Sequence, residues 1–124
     1  MTHKLQALVR FLAGLVGAGG VALAAYASHG TSDPSLALPA AGILLAHAPA
    51  LLALSLRSGR GQTVSAIIAL LMAAGVALFS GDLASRIWTG SRLFEGAAPL
   101  GGMAIIASWL MICGEALVSA FRRT

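Results

Sequence analysis

Residues 62–88 read QTVSAIIALLMAAGVALFSGDLASRIW, a long apolar stretch in which the first charged residue is Asp82. At 1.5 Å per residue, a helix of this length is roughly 40 Å long, enough to cross a hydrocarbon core of about 30 Å with some tilt. The pattern does not alternate with period two, and a sheet edge in lipid would leave backbone groups without hydrogen-bond partners. The stretch therefore predicts a transmembrane α-helix.

Three further apolar segments of similar length occupy about residues 5–27, 35–56 and 99–121. The breaks between the four segments are short and rich in Gly, Ser and charged residues, as is typical of tight turns between antiparallel neighbours. With 58% hydrophobic and 10% charged residues, the composition is far from that of an ordinary soluble domain. We therefore predict an all-α membrane protein, a four-transmembrane-helix antiparallel bundle that forms a single domain over residues 1–124.

The first segment has features of a signal peptide, because Lys4 and Arg10 precede its apolar run and Ala25-Tyr26-Ala27 ends it. The run is long for a signal sequence, however, and three more apolar segments follow it. We expect a retained helix, with cleavage as the alternative.

The distribution of positive charge predicts the orientation. The basic residues at the N-terminus, in the second turn and at the C-terminus are Lys4, Arg10, Arg57, Arg60, Arg122 and Arg123. The first and third turns and their flanks hold only Arg86 and Arg92, beside Asp33 and Glu95. The positive-inside rule therefore places both termini in the cytoplasm of a multi-pass protein of the cell inner (plasma) membrane. The net charge of +4 is explained by loops that face anionic lipid, so we expect no nucleic-acid partner.

Small residues form ridges on two of the predicted helices. The ridge on the first helix consists of Ala13, Gly17, Gly20 and Ala24, and the ridge on the third consists of Ala66, Ala69, Ala73 and Ala77. Because such ridges let helix backbones approach closely in lipid, we expect the first and third helices to make the tightest contacts.

Ionisable side chains inside a span are costly in lipid and usually face the bundle. Arg10 and Glu115 lie at similar depths on the cytoplasmic side, so we expect them to form an ion pair between the first and fourth helices. Asp82 and Arg86 are spaced i, i+4, which places opposite charges on one helix face and predicts a local ion pair.

Three polar residues form the candidate functional site: His29 in the first turn, His47 near the middle of the second span, and Asp82 near the outer end of the third. A histidine side chain can gain or lose a proton near neutral pH, so a role for His29 linked to protons or metal is chemically available. The simpler interpretation is that His29 and Asp82 are polar residues of the kind common at helix ends.

His47 precedes Pro49 by two residues, and a neutral imidazole at this depth can hydrogen-bond to another helix. Haem ligation is the alternative, but the chain offers no second His at that depth as an axial ligand. Met103, Met111 and Cys113 are better explained by core packing than by soft-metal binding. We therefore expect no bound metal and no cofactor.

The sequence contains no Walker loop, no G-x-S-x-G and no H-E-x-x-H, so we assign no catalytic residue and expect the protein not to be an enzyme.

Several short motifs follow one another along the chain: His29-Gly30, His47 to Leu54, Phe79-Ser80-Gly81, Thr89-Gly90, Pro99-Leu100-Gly101-Gly102 and Trp109. Their order resembles that of the small membrane family known as domain of unknown function 423. The resemblance covers almost the whole chain and implies a four-helix membrane protein without an established activity.

Together these features favour a protein that works in the lipid bilayer by helix–helix association, as a homo-oligomer or as an accessory subunit of a membrane complex. An oligomeric transporter or channel for a small ion or solute is the alternative. A haem- or quinone-binding subunit is a weaker one.

Overall fold

The computed structural model describes residues 3–122; Arg123, one of the basic residues counted above, lies outside them. Four α-helices run from His3–His29 (α1), Ala37–Ser55 (α2), Gln62–Thr89 (α3) and Ala97–Arg122 (α4), and a 3-10 turn, Gly59–Gly61, precedes α3. No strand occurs within residues 3–122. All four helices are long and apolar enough to cross a membrane. The predicted all-α fold of four membrane-spanning helices is therefore confirmed.

The observed helix ends lie within two residues of the predicted ones. The fourth helix begins at Ala97 rather than at Pro99, so the proline lies in the first turn of α4. A proline is tolerated there because the first amide groups of a helix have no carbonyl partner inside it. The second helix begins at Ala37, later than expected, after a turn in which the Asp33 side chain accepts a hydrogen bond from the Ser35 amide.

The helices pack as two antiparallel hairpins. α1 lies along α2, α3 lies along α4, and α2 and α3 join the hairpins, whereas α1 and α3 touch only slightly. The expectation that the first and third helices make the tightest contacts is therefore wrong. The ridge on α1 packs against α2 instead: Gly17 faces Ala48, and Gly20 faces the side chains of Leu44 and Leu45.

Two apolar clusters form the core. The first brings all four helices together and consists of Val9, Ala13, Leu51, Ala69, Met72, Val76 and Ile105. The second joins α1, α2 and α3 and consists of Leu23, Ala27, Ala37, Ala40, Ala41 and Leu83. Of these two clusters, only the first includes a buried side chain from α4, and most of that helix faces outward.

Two glycines form a close crossing between the backbones of α3 and α4. A Cβ atom built on Gly101 of α4 would lie 2.6 Å from the carbonyl oxygen of Gly75 and 2.6 Å from the amide nitrogen of Phe79, both on α3. Only a residue without a side chain fits this crossing. The second hairpin therefore depends on a glycine on each helix.

Candidate functional site

A partly buried hydrogen bond links α2 to α4 across the bundle. The indole Nε1 of Trp109 donates to Nε2 of His47 at 3.0 Å, and Nδ1 of His47 lies 2.7 Å from the carbonyl oxygen of Ile43. A carbonyl only accepts and an indole N–H only donates, so the imidazole is neutral with its proton on Nδ1. The two rings meet edge-on, with centroids 5.8 Å apart.

This contact confirms that His47 hydrogen-bonds to another helix. Sequence reasoning did not identify the partner, although Trp109 was among the motif residues. Because both ring nitrogens have protein partners, a haem iron could bind to Nε2 only after displacing Trp109. The arrangement therefore fixes the imidazole between two helices rather than presenting it to a ligand.

Asp82 is fully buried and accepts two hydrogen bonds. Arg86 Nη2 donates to Oδ2 at 2.7 Å, and the backbone amide of Leu93 donates to Oδ1 at 2.8 Å. The predicted i, i+4 ion pair is thus present, while the contact with Leu93 was not foreseen. Through that second contact, Asp82 ties the turn between α3 and α4 back onto α3.

The structure does not join the three residues of the candidate polar site. His29 is exposed at the end of α1, His47 is bonded to α4, and Asp82 is bonded within α3 and its following turn. Across residues 3–122, no hydrogen bond or ion pair connects any two of these residues. Nor does that part of the chain contain a group of three or more His, Cys, Asp or Glu side chains able to hold a metal ion.

Glu115 pairs with Arg57 rather than with Arg10. Arg57 Nη2 lies 3.0 Å from Oε1 and Nη1 lies 3.3 Å from Oε2, so the guanidinium contacts both carboxylate oxygens. This hydrogen-bonded carboxylate raises the pKa of Arg57 above its usual value. The predicted Arg10–Glu115 pair is wrong because α1 packs along α2 and not along α4. The turn after α2 reaches the carboxylate instead.

Two of the cavities lined by residues 3–122 open on the surface of the bundle. One, of about 700 Å³, lies between the turn after α2 and the C-terminal half of α4, and it is lined by Arg57, Arg60 and Arg122 together with Glu115. The other, of about 560 Å³, is an almost entirely apolar groove between α1 and α3. Its walls include Leu15, Gly19, Tyr26, Leu44, Ala77 and Trp88.

The fold and these contacts define a class: a multi-pass membrane protein of four apolar helices, in which the buried side chains of His47, Ser80 and Asp82 bond to other side chains or to the backbone. Within that class, the chain belongs to the family described as "Protein of unknown function (DUF423)", which matches residues 23–102. The resemblance read from the short motifs is thereby confirmed. No curated protein and no solved structure matches the chain.

Two of the motifs that carry that resemblance have clear structural roles. The hydroxyl of Ser80, in Phe79-Ser80-Gly81, donates to the carbonyl oxygen of Ala40 at 3.1 Å and so bonds α3 to α2. Gly101, in Pro99-Leu100-Gly101-Gly102, permits the close crossing of α3 and α4. Both motifs therefore hold helices together, and neither presents a reactive group.

Proposed function

We propose that this membrane protein acts without catalysis, by helix–helix association, as a homo-oligomer or as an accessory subunit of a larger membrane complex. The observation that carries the proposal is a second small-residue face on α1. Gly14, Ala18 and Ala22 follow one another at intervals of four residues and are all exposed. A Cβ atom on Gly14 would meet nothing within 4 Å.

This outward face differs from the ridge that α1 uses inside the bundle. Ala13 and Gly20 are buried against other helices, whereas Gly14 and Ala18 point away from them. In lipid, small residues spaced four apart let a second helix backbone approach closely. The chain thus has one small face occupied by its own α2 and one that is free for another transmembrane helix.

Large apolar side chains border the free face: by helix periodicity Leu15 and Val21 lie on either side of it, and Phe11 lies one turn before Gly14. Phe11, Leu15 and Val21 are each more than half exposed. A partner helix seated on the small residues would pack between these side chains, which supplies the van der Waals contact that drives association in lipid. The proposed contact is thus a groove of small residues with bulky edges.

A substitution on each of two helices tests this proposal. Gly14→Leu adds bulk at the free face of α1, and the matched control, Gly102→Leu, adds the same bulk on α4, where a Cβ atom also meets nothing within 4 Å. Both proteins are purified from native membranes in mild detergent, and the mass and composition of the complex are measured by light scattering and mass spectrometry. We expect a complex of fixed stoichiometry that Gly14→Leu dissociates and Gly102→Leu leaves intact. A monomer at all concentrations, or equal loss in both variants, would contradict the proposal.

We also propose that the protein lies in the cell inner membrane with both termini in the cytoplasm. The N-terminus of α1, the turn after α2 and the C-terminus of α4 stand at one end of the antiparallel bundle, and Lys4, Arg57, Arg60 and Arg122 are all found there. Two variants, Ser58→Cys and Ser91→Cys, each made in a Cys113→Ser background, test the orientation. A membrane-impermeant thiol reagent applied to intact cells should label position 91 and not position 58.

A further inference from the structure

The cavity beside Arg57 combines strong positive charge with an apolar wall. Three arginines and one glutamate line it, so two positive charges are left over. Val64, Met111 and Val118 form the apolar part of the lining. A site with cations at one side and hydrocarbon at the other matches a molecule that carries both an anionic head and an apolar tail.

The ion pair with Glu115 organises this site. Because Arg57 bonds to both carboxylate oxygens, its guanidinium is held at the wall of the cavity and the glutamate charge is already neutralised. Gln6 further fixes the turn, since its side-chain amide donates to the carbonyl oxygen of Arg57 at 2.6 Å. The side chains of Arg60 and Arg122 are exposed, and in the described part of the chain neither one forms an ion pair with a carboxylate. Their donors are free for a ligand.

We propose that this cavity binds an anionic glycerophospholipid, with the lipid phosphate at Arg60 and Arg122 and an acyl chain along Val64 and Val118. Guanidinium groups present planar N–H donors that match phosphate oxygens. Basic pockets between helices at the cytoplasmic side of a membrane are suited to anionic headgroups. The site is separate from the free face of α1, so it stands or falls independently of association through that face.

The shape of the cavity supports a whole lipid rather than a bare anion. Gly114 lines it, and a Cβ atom there would meet nothing within 4 Å, so α4 leaves open space where the tail would lie. An inorganic phosphate ion would use the arginines but would leave the apolar wall uncovered. We therefore assign the site to the phospholipid.

Native mass spectrometry of the full-length protein in detergent tests this assignment. The protein is titrated with phosphatidylglycerol and with phosphatidylcholine of the same acyl chains, and the first bound lipid is quantified. The test variant is Arg60→Gln/Arg122→Gln, and its matched control is Arg10→Gln/Arg92→Gln, which removes the same charge outside the cavity. A third variant, Gly114→Leu, fills the cavity and keeps every charge. Circular dichroism confirms that each variant is helical.

We expect the wild type to prefer phosphatidylglycerol, the test variant to bind it roughly 30-fold more weakly, and the control to change by no more than about twofold. Gly114→Leu should also weaken binding. Equal binding of the two lipids, or equal loss in test and control variants, would overturn the proposal. If millimolar inorganic phosphate competed for the site as effectively as the lipid does, the site would be one for a free anion. That result would overturn the lipid assignment.

Discussion

The indole nitrogen of Trp109 donates to His47 Nε2 at 3.0 Å and joins α4 to α2. The two helices share few other contacts, because α4 packs along α3 and α2 packs along α1. The hydrogen bond is therefore one of the few direct links between these two helices, whereas most of the packing between the hairpins is made by α2 and α3.

Trp109→Phe keeps an aromatic ring but removes the donor. We expect the free energy of unfolding to fall by about 1 kcal/mol, since hydrogen bonds between transmembrane helices are worth roughly that much. The measurement is unfolding by sodium dodecyl sulfate in mixed micelles, followed by far-ultraviolet circular dichroism. His47→Phe in the Trp109→Phe background should add little further loss, because the bond is already absent. Additive losses in the double variant would show that the two residues are not coupled.

Gly101→Ala should destabilise the second hairpin. The added methyl would lie 2.6 Å from backbone atoms of α3, which cannot rotate away as a side chain would. We expect α3 and α4 to move apart at a cost of about 1–3 kcal/mol in the free energy of unfolding. The matched control is Gly102→Ala, the next residue along the chain, where a Cβ atom meets nothing within 4 Å. The control should be as stable as the wild type or slightly more so, because alanine has the higher helix propensity; equal effects at both positions would contradict the close crossing.

Arg57 and Glu115 should be energetically coupled, and Arg10 and Glu115 should not. The side chain of Arg57 is 43% exposed, so we expect a coupling of about 0.5 kcal/mol in a double-mutant cycle of Arg57→Gln and Glu115→Gln. The same cycle with Arg10→Gln in place of Arg57→Gln should give a coupling near zero. Both cycles are measured by unfolding in sodium dodecyl sulfate mixed micelles, as for Trp109→Phe. A larger coupling for Arg10 than for Arg57 would restore the pair predicted from depth alone.

The contrast between these two arginines shows what the sequence can determine. Length and hydropathy predict the four spans, because a bilayer demands an apolar run of fixed length whatever the packing. The local pair of Asp82 and Arg86 is also predictable, since helix geometry alone brings residues four apart onto one face. Counting residues along a span gives depth in the membrane, which is why Arg10 and Glu115 looked well matched. It does not give the neighbouring helix, and that depends on how the whole bundle packs.

The same limit explains the small-residue ridges and the histidine. Small residues favour close packing with any helix, so Gly17 and Gly20 were correctly expected to be at a contact although their partner is α2. His47 was recognised as unusual because it is polar and deep in a span. Its partner Trp109 is distant in sequence and carries no charge, so only the folded arrangement identifies it.

Breaking the pair of Asp82 and Arg86 should cost more when the cation is removed than when the anion is neutralised. Arg86→Met leaves the fully buried Asp82 carboxylate with only the Leu93 amide as a donor, and we expect a loss of about 3 kcal/mol in the free energy of unfolding. Asp82→Asn keeps an oxygen that can accept from the Leu93 amide. Arg86 is partly exposed, so it can turn its charge toward the headgroups. We therefore expect Asp82→Asn to lower the free energy of unfolding by only about 1 kcal/mol. The double variant Asp82→Asn/Arg86→Met should be more stable than Arg86→Met alone, because it contains no unpaired buried charge. Unfolding in mixed micelles measures all three, and a greater loss for Asp82→Asn than for Arg86→Met would show that the carboxylate does not depend on Arg86 for its stability in the bundle.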